Sequence, residues 1–379
     1  MKTLIITQTI GKGHDFIAKA IKNGLDLQAE ESKVIQLFGY SEKEVRLQDK
    51  LYLTLTKYFP RIYSAFWFKY RKRTKQTPSF FIRRVIKKCS DYVLNEIKKY
   101  TPDNIICTHN NAGALISYFK ENNLISSEIK TYVAVTDYCA CPCWESCTKV
   151  DYLFTPHELT HFEFIERGFN KEKLLPVGIP VAPKFFAHQD KAKCKKFFGL
   201  DKEKFTVCVV SGGNCMTKVS TLIKVLLKKR LDVQFLVVTG KNKKQFQQVE
   251  KLKKLYPDSK IINLGFCDCM EKVFTVGDVV FTRGGGSAIT EQIVKNIPII
   301  FREKLIINEK INKKIFTDFG VGLSMNRISD APKILEFLLK NPLELEEIKK
   351  RQKLFVKENF VKNIVDFVLE RENSINKAQ

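Results

Sequence analysis

The sequence predicts an α/β fold of two doubly wound units, and three observations predict it. Short apolar runs alternate with helical stretches along nearly the whole chain. The runs are continuous rather than alternating polar and apolar, so each is a strand covered on both faces, which means parallel sheets with right-handed helical crossovers. The alternation lapses once near the middle, in PVAPKFFAHQDKAKCKKFFGLDKEK, where Pro, charge and lost periodicity mark a linker. At 379 residues the chain is too long for one small core and right for two domains.

In the first half, KTLIIT (Lys2 to Thr7) is a buried strand ended by polar residues and Gly11, and DFIAKAIKNGL follows with helical spacing. SKVIQLF, DNIICTH, KTYVAVTD and DYLFTPH are further strands, NAGALISYFKENN is a helix, and KLLPVGIPV closes the half. The second half restarts the pattern with FTVCVVSGG, VQFLVVTG, SKIINLGF, DVVFTRGG and IPIIF. The expected division is a Rossmann-like domain over 1–185, a second over 186–345, and C-terminal helices over 346–379 that pack back on the first domain.

Hydrophobic residues make up 44% and charged residues 28% of the chain, the profile of a folded protein. No apolar run reaches the roughly 18 to 20 residues that span a bilayer. The N-terminal MKTLIITQTIGKGHD lacks the longer apolar region and cleavage site of a signal peptide, so the chain is expected in the cytosol. Eleven Cys without an export signal are expected as reduced thiols. The net charge of +24 asks for an anionic partner: nucleic acid, an anionic membrane or a phosphorylated small molecule.

Between Asp49 and Asp91 no acidic residue occurs, while Lys and Arg alternate with aromatics. Within this segment, 52–88, Phe59, Tyr63, Phe66, Trp67 and Tyr70 recur at helical intervals beside Lys69, Arg71, Lys72 and Arg73. An aromatic face flanked by cations suits a helix lying at an anionic membrane surface. A core helix followed by a solvated basic loop is the plainer reading. Base stacking on nucleic acid fits least, because these rings cluster with aliphatic residues; the expected partner is the membrane and not nucleic acid.

Three glycine turns could carry chemistry. In TIGKGHD, Gly11 and Gly13 straddle Lys12 between a strand and a helix, and His14 falls at the helix start. There the helix dipole disfavours the imidazolium, so His14 can be neutral and accept a proton near pH 7. In VVSGGNCMTKVSTLIKVL, Gly212 and Gly213 end a strand where a phosphate or close ligand fits. In VVFTRGGGSAITEQIVKN, Arg283, Gly284, Gly285, Gly286 and Ser287 lead into a helix with Thr290 and Glu291 in its first turns. Loop amides and the dipole would hold a diphosphate, the hydroxyls of Ser287 and Thr290 could donate to it, and Glu291 could accept from two ribose hydroxyls. Each turn alone is compatible with a structural role; together they point to a nucleotide-diphosphate site.

The ordered motifs GKGH, VTDYCACPCW, PVGIPVAPKF, VSGGN, LGFCDCM and FTRGGGSAITEQIVKNIPIIF resemble those of the monogalactosyldiacylglycerol synthase and processive diacylglycerol glucosyltransferase family, from about Lys2 to about Met325. The UDP-N-acetylglucosamine transferase of peptidoglycan synthesis is a more distant relative. The resemblance implies an inverting transferase of the GT-B fold with an interdomain cleft. The lipid acceptor would lie on the N-terminal domain and the UDP-sugar on the C-terminal one. By position, His14 matches the proposed base that takes the acceptor proton, and Asp137 an Asp near the acceptor. Gly212 and Gly213 match the glycine turn facing the donor. Phe266 and Cys267 fall where the family's backbone reads uracil, and Gly285, Gly286 and Ser287 on its phosphate loop. Glu291 falls on the ribose-binding Glu, Asn308 and Glu309 on the Gln-Glu pair that holds hexose hydroxyls, and Asn312 on the Asn after it.

The sequence departs from the family at four places. Ala288 stands for a Thr, Ile306-Ile307 for a Pro-Gly, Cys141 for the His of many relatives, and Lys12 for a Gly. The expected activity is direct displacement at the anomeric carbon of a hexose, with His14 as base and diacylglycerol as acceptor. UDP leaves to loop amides, dipoles and hydroxyls, with no cofactor required beyond the UDP-sugar donor. The work is expected on the inner face of the cell membrane, as a peripheral protein. Transfer of N-acetylglucosamine to a polyprenyl-linked lipid is the nearest alternative; a nucleic-acid-binding protein and a non-catalytic nucleotide-sugar sensor are others. Cys139, Cys141, Cys143 and Cys147 are spaced C-x-C-x-C-x3-C, without the paired CxxC of common zinc sites, and Cys267 and Cys269 form a second C-x-C. Thiols in a packed loop are the expected reading, and no metal site is assigned.

Overall fold

The structure is a computed structural model. It describes residues 1–10, 13–71, 78–211, 218–303, 305–356 and 359–376, the side chains of 371–376 excepted. The chain divides into two compact units, Met1–Pro183 with Glu358–Gln379, and Lys184–Lys357.

The first unit contains β1 (Lys2–Thr7), α1 (Gly13–Asp26), β2 (Glu31–Gln36), α2 (Glu42–Tyr58), α3 (Pro60–Arg71), α4 (Phe80–Tyr100), β3 (Asn104–Cys107), α5 (Asn110–Glu121), β4 (Lys130–Ala134), β5 (Tyr152–Phe154), α6 (His161–Ile165) and β6 (Leu174–Leu175). Its sheet runs β2-β1-β3-β4-β5-β6 with every pair parallel. Leu4, Ile5 and Ile6 of β1 and Ile105 and Ile106 of β3 are wholly buried, as strands covered on both faces must be. Ser41 and Ser79 start α2 and α4 by accepting from the amides of Glu44 and Ile82.

The second unit contains α7 (Lys191–Phe197), β7 (Phe205–Val210), α8 (Val219–Leu227), β8 (Val233–Val238), α9 (Lys243–Leu255), β9 (Ile261–Leu264), α10 (Met270–Val276), β10 (Val279–Thr282), α11 (Gly286–Val294), β11 (Ile299–Phe301), α12 (Ile307–Asp318), β12 (Gly322–Ser324), α13 (Ala331–Lys340) and α14 (Pro342–Phe355). Its parallel sheet runs β12-β11-β10-β7-β8-β9. Ten of the twelve strands coincide with the runs read as strands, and KLLPVGIPV yields only the two residues of β6. The short β12, GLS, is too brief and too poor in β-branched residues to stand out.

The stretch from 346 onward does not act as one piece. Its first part, through Phe355, belongs to α14, which stays with the second unit, where Gln352 donates to the carbonyls of Ile297 and Val321. Only α15 (Phe360–Asn376) joins the first unit. There Gly24 lets α1 and α15 come together, since a Cβ at that position would run into Val361. Phe367 stands edge-on to the rings of Tyr132, Tyr152 and Phe154 and covers that end of the sheet.

The aromatic–basic segment forms the end of α2, all of α3 and the first half of α4; residues 72–77, with Lys72 and Arg73, lie outside the described residues. Its rings do not share one face. Trp67 is buried, with the Arg71 guanidinium over its ring at 5.1 Å. Phe59, Ile62, Phe66 and Phe68 are exposed, together with Phe80 and Phe81. Phe81 stands edge-on to Phe66 and Tyr70, which tilt against each other at 36°, and the three form an aromatic cluster. Among the described residues, no helix is long and apolar enough to cross a membrane.

Candidate active site

In a doubly wound sheet, ligands gather where the strand order reverses, at the carboxyl ends of the strands. In the first unit that point lies between β1 and β3, and His14, in the first turn of α1, sits there. Its Nδ1 lies 2.7 Å from the carbonyl oxygen of Thr108, just past β3, and 3.1 Å from the hydroxyl of Thr136, just past β4. A carbonyl can only accept, so Nδ1 carries the hydrogen and Nε2 keeps its lone pair. Burial lowers the His14 pKa below its ordinary value, against the Thr108 hydrogen bond and the nearby Asp15 charge, which both raise it. The result is a neutral imidazole at pH 7, oriented by backbone, with one basic nitrogen.

Four residues of this site were not singled out from the sequence. Asp15 is held by the Thr9 hydroxyl at 2.8 Å and the Gln36 amide at 3.0 Å. His109 stacks edge-on to His14 with centroids 4.6 Å apart, and its Nδ1 accepts from the amide of Asn111 at the start of α5. Burial, and then the neighbouring His14, hold His109 well below the usual histidine range. Thr108 and Thr136 complete the set. The signal for His109 was available: it ends the DNIICTH strand and caps the next helix, the same strand-to-helix position that drew attention to His14. Asp137 follows Thr136 and is half-buried, its carboxylate accepting from the Tyr138 amide at 3.2 Å. The carboxylate felt by His14 is Asp15, and the neighbour on its ring from the β4 side is Thr136.

In the second unit the order reverses between β10 and β7. Gly212 and Gly213 follow β7 and, like Gly11, lie outside the described residues; Gly13 is the first residue of α1. After β10, Gly284 takes φ +96°, and a Cβ there would press on the Phe301 ring at 2.9 Å. Gly285 then caps α11 in an extended conformation, with nothing within 4 Å of where its Cβ would be, so that side of the loop is open to a ligand. Gly286 and Ser287 are the first residues of α11, with their amides at the helix N-terminus.

The side chains around this loop are spent on holding it. Asn312 donates to the Gly284 carbonyl at 3.0 Å. Glu309 pairs with Arg283 at 2.8 Å and also accepts from the Ile306 amide at 3.1 Å, closing the first turn of α12. Glu309 is buried and ties the loop to α12. Asn308, beside it, is half-buried. Thr290 also turns inward: it is buried and its hydroxyl donates to the Gly286 carbonyl at 2.9 Å.

Glu291 behaves differently. Its side chain makes no hydrogen bond or ion pair among the described residues, and burial pushes its carboxyl up to about 8. Lys184 lowers and Glu271 raises that value, and those two pair with each other at 2.8 Å. In the loop after β9, Phe266 is half exposed beneath the Lys241 ammonium at 5.3 Å, and the sulfurs of Cys267 and Cys269 lie 3.2 Å apart.

Two Rossmann-like units, one with a backbone-oriented histidine and one with an open glycine loop before a helix, make up the GT-B fold, and the family models set its class as a glycosyltransferase. The model of monogalactosyldiacylglycerol (MGDG) synthase matches residues 14–181, and that of the glycosyltransferase family 28 C-terminal domain matches residues 206–364. The chain belongs to the monogalactosyldiacylglycerol synthase and processive diacylglycerol glucosyltransferase family. The processive diacylglycerol beta-glucosyltransferase of Bacillus pumilus (strain SAFR-032) is 26% identical over 378 residues, covering 99% of this chain and 96% of that protein. The enzyme of the same name from Staphylococcus aureus (strain N315) is 26% identical over 87% of this chain and 82% of its own. Among solved structures, Acinetobacter baumannii MurG matches 98% of this chain and 100% of its own with a TM-score of 0.65 at 14% identity. Anabaena Alr3699/HepE, solved in complex with UDP, matches 99% and 100% with a TM-score of 0.59 at 13% identity.

Proposed function

We propose that the chain is an inverting hexosyltransferase that moves a sugar from a UDP-sugar to diacylglycerol. The observation that carries the chemistry is the His14 ring: its Nδ1 proton is committed to the Thr108 carbonyl, which leaves Nε2 to take the acceptor's proton. As that proton leaves, the acceptor oxygen attacks the anomeric carbon from the side opposite the diphosphate. UDP departs toward the amides at the start of α11, with the Ser287 hydroxyl beside them, and the Glu291 carboxylate accepts from the ribose diol. The choice of diacylglycerol is supported by relatives of that activity that align with 99% of the chain. The likeness to MurG is one of fold, and an acceptor of the polyprenyl type has no such support.

The exposed Phe59, Ile62, Phe66, Phe68, Phe80 and Phe81, with Arg61, Lys69, Arg83 and Arg84 among them, form the surface that meets an anionic membrane. UDP-glucose, UDP-galactose and UDP-N-acetylglucosamine, each offered with diacylglycerol or a polyprenyl-linked acceptor in anionic liposomes, test the reading directly. Hexose transfer to diacylglycerol is expected; transfer only of N-acetylglucosamine to the polyprenyl lipid would replace it.

A further inference from the structure

The four-cysteine cluster divides in the structure. The Cys147 thiol donates to the Asn110 carbonyl at 3.2 Å, and the Cys143 sulfur meets the Ser79 hydroxyl at 3.5 Å in the core. Cys139 and Cys141 are left together, and a carboxylate outside the cysteine spacing joins them. One ligand atom from each of Asp137, Cys139 and Cys141 lies within 4.8 Å of the other two. We propose that these three residues bind a thiophilic divalent cation of the Zn2+ class.

The geometry is close to what such an ion needs. Zinc–sulfur bonds of about 2.3 Å in a tetrahedron set ligand atoms about 3.5 to 3.8 Å apart, so small side-chain rotations complete the site. The backbone between the two thiols is fixed in advance. The Ala140 amide donates to Glu163 at 2.8 Å, and the Ala140 carbonyl accepts from Arg167 at 3.3 Å, both buried. Arg167 also donates to the Glu163 carbonyl, and Arg71 pairs with the Glu163 carboxylate at 2.7 Å, so the turn is anchored from two helices. Glu163 is thereby committed and is not a fourth ligand. Cys139 is buried while Asp137 and Cys141 are half-buried, which gives the ion a way in and leaves a fourth position for water.

Binding forms two metal–sulfur bonds and one metal–oxygen bond and releases the two thiol protons to solvent. The ion with two thiolates and a carboxylate carries one net negative charge, and the Arg167 guanidinium, within electrostatic reach of Cys141, offsets it. The site adjoins Thr136, which touches the His14 ring, so occupancy withdraws Asp137 from the acceptor side. That consequence rests on the proposed function; the binding itself does not.

Titration of reduced, chelator-treated full-length protein with Co2+ tests the site without any substrate. One equivalent is expected, with a near-ultraviolet sulfur-to-cobalt charge-transfer band and visible d–d bands. Cys141→Ser should weaken binding more than about tenfold and reduce the charge-transfer band, while Asp137→Asn weakens binding and keeps it. Cys139 is buried, so Cys139→Ser is read only if its thermal melt shows it folded; Cys141→Ser carries the test otherwise. No charge-transfer band, or a band unaffected by Cys141→Ser, overturns the proposal. So does a band lost in Cys267→Ser, which would move the site to the other C-x-C pair. In a separate transfer assay Zn2+ should inhibit the native enzyme and spare Cys141→Ser. Absence of any transfer, with the cobalt spectrum intact, would count against the proposed function and leave the metal site standing.

Discussion

The two switch points solve opposite problems. At β1/β3 a functional side chain is oriented by backbone: the Thr108 carbonyl fixes which His14 nitrogen is basic. At β10/β7 the functional surface is backbone held by side chains: Asn312, Arg283 and Glu309 fix the glycine loop at the head of α11, whose first amides have no intrahelical partner. Proton transfer needs an atom whose pKa can be tuned by burial, which a side chain supplies. Holding a diphosphate needs several convergent donors at close range, which only a loop without side chains supplies. The first site therefore tolerates loss of supporting hydroxyls better than loss of its histidine. The second tolerates little change in its supports.

The sharpest way to break this division is His14→Ala. Removing the base should lower turnover by about 10²- to 10⁴-fold while leaving UDP affinity within about twofold. A parallel loss of UDP affinity, read by calorimetry, would mean the histidine also serves the donor. The pH profile of the native enzyme gives an independent check. Because the folded pKa of His14 lies below 6.5, turnover should be flat above that value and fall only as pH drops through the lowered pKa. The same sign holds for stability: the unfolded state binds the extra proton in that window, so the contribution of His14 is lost as pH falls.

Glu291 is the exception within the second site, a side chain with no hydrogen-bond or ion-pair partner among the described residues, and the next largest effect is expected there. Replacing it with Ala should weaken UDP-sugar binding by about 10- to 100-fold, the scale of charge-assisted hydrogen bonds to two hydroxyls. With its pKa pushed up to about 8, the carboxylate is mostly protonated at pH 7 in the ligand-free protein. Donor affinity should therefore rise by about fivefold between pH 7 and 8, and Glu291→Gln should abolish that rise. The folded state holds this proton between about 4.5 and 8, so the carboxyl's contribution to stability is lost as pH climbs through that range. Ligand-free Glu291→Gln should accordingly melt higher than the native protein at pH 8.5 while binding donor more weakly. A lower melting temperature would show that Glu291 is structural.

Asn312→Ala attacks the supports instead. The Gly284 carbonyl loses a buried partner, at a cost of about 1 to 3 kcal/mol in stability, and donor affinity falls with it because the loop is no longer held. Calorimetry that finds unchanged donor affinity in a folded Asn312→Ala protein would show that the loop holds itself.

The same contrast explains what was legible in the sequence. Strand runs, glycine turns, His14 and Glu291 announce themselves through local chemistry: apolar continuity, φ freedom, a titratable group at a helix start. Glu309 and Thr290 were read as ligand contacts because their positions along α12 and α11 are right. Only the fold reveals that Glu309 also pairs with Arg283 and that the Thr290 hydroxyl donates to the Gly286 carbonyl. Thr108 and Thr136 are invisible for a related reason: they lie 94 and 122 residues from His14 and meet it only because β3 and β4 follow β1 in the sheet. Asp137 was singled out for the acceptor, yet its proximity to two thiols is a property of the turn at Ala140, which no spacing rule describes.

Thr136→Val asks how much of the His14 arrangement is side chain and how much backbone. The valine removes the hydroxyl 3.1 Å from Nδ1 but keeps the shape, and the Thr108 carbonyl still takes the Nδ1 proton. If backbone sets the tautomer, turnover should fall by only about two- to fivefold, the net value of one neutral hydrogen bond. The onset of the acid limb should stay where it is, because burial, which lowers the pKa, and the Thr108 hydrogen bond, which raises it, are both unchanged. A loss approaching that of His14→Ala would mean that the hydroxyl, not the carbonyl, orients the ring. The first site would then depend on side-chain supports as fully as the second does, and the contrast between the two switch points would collapse.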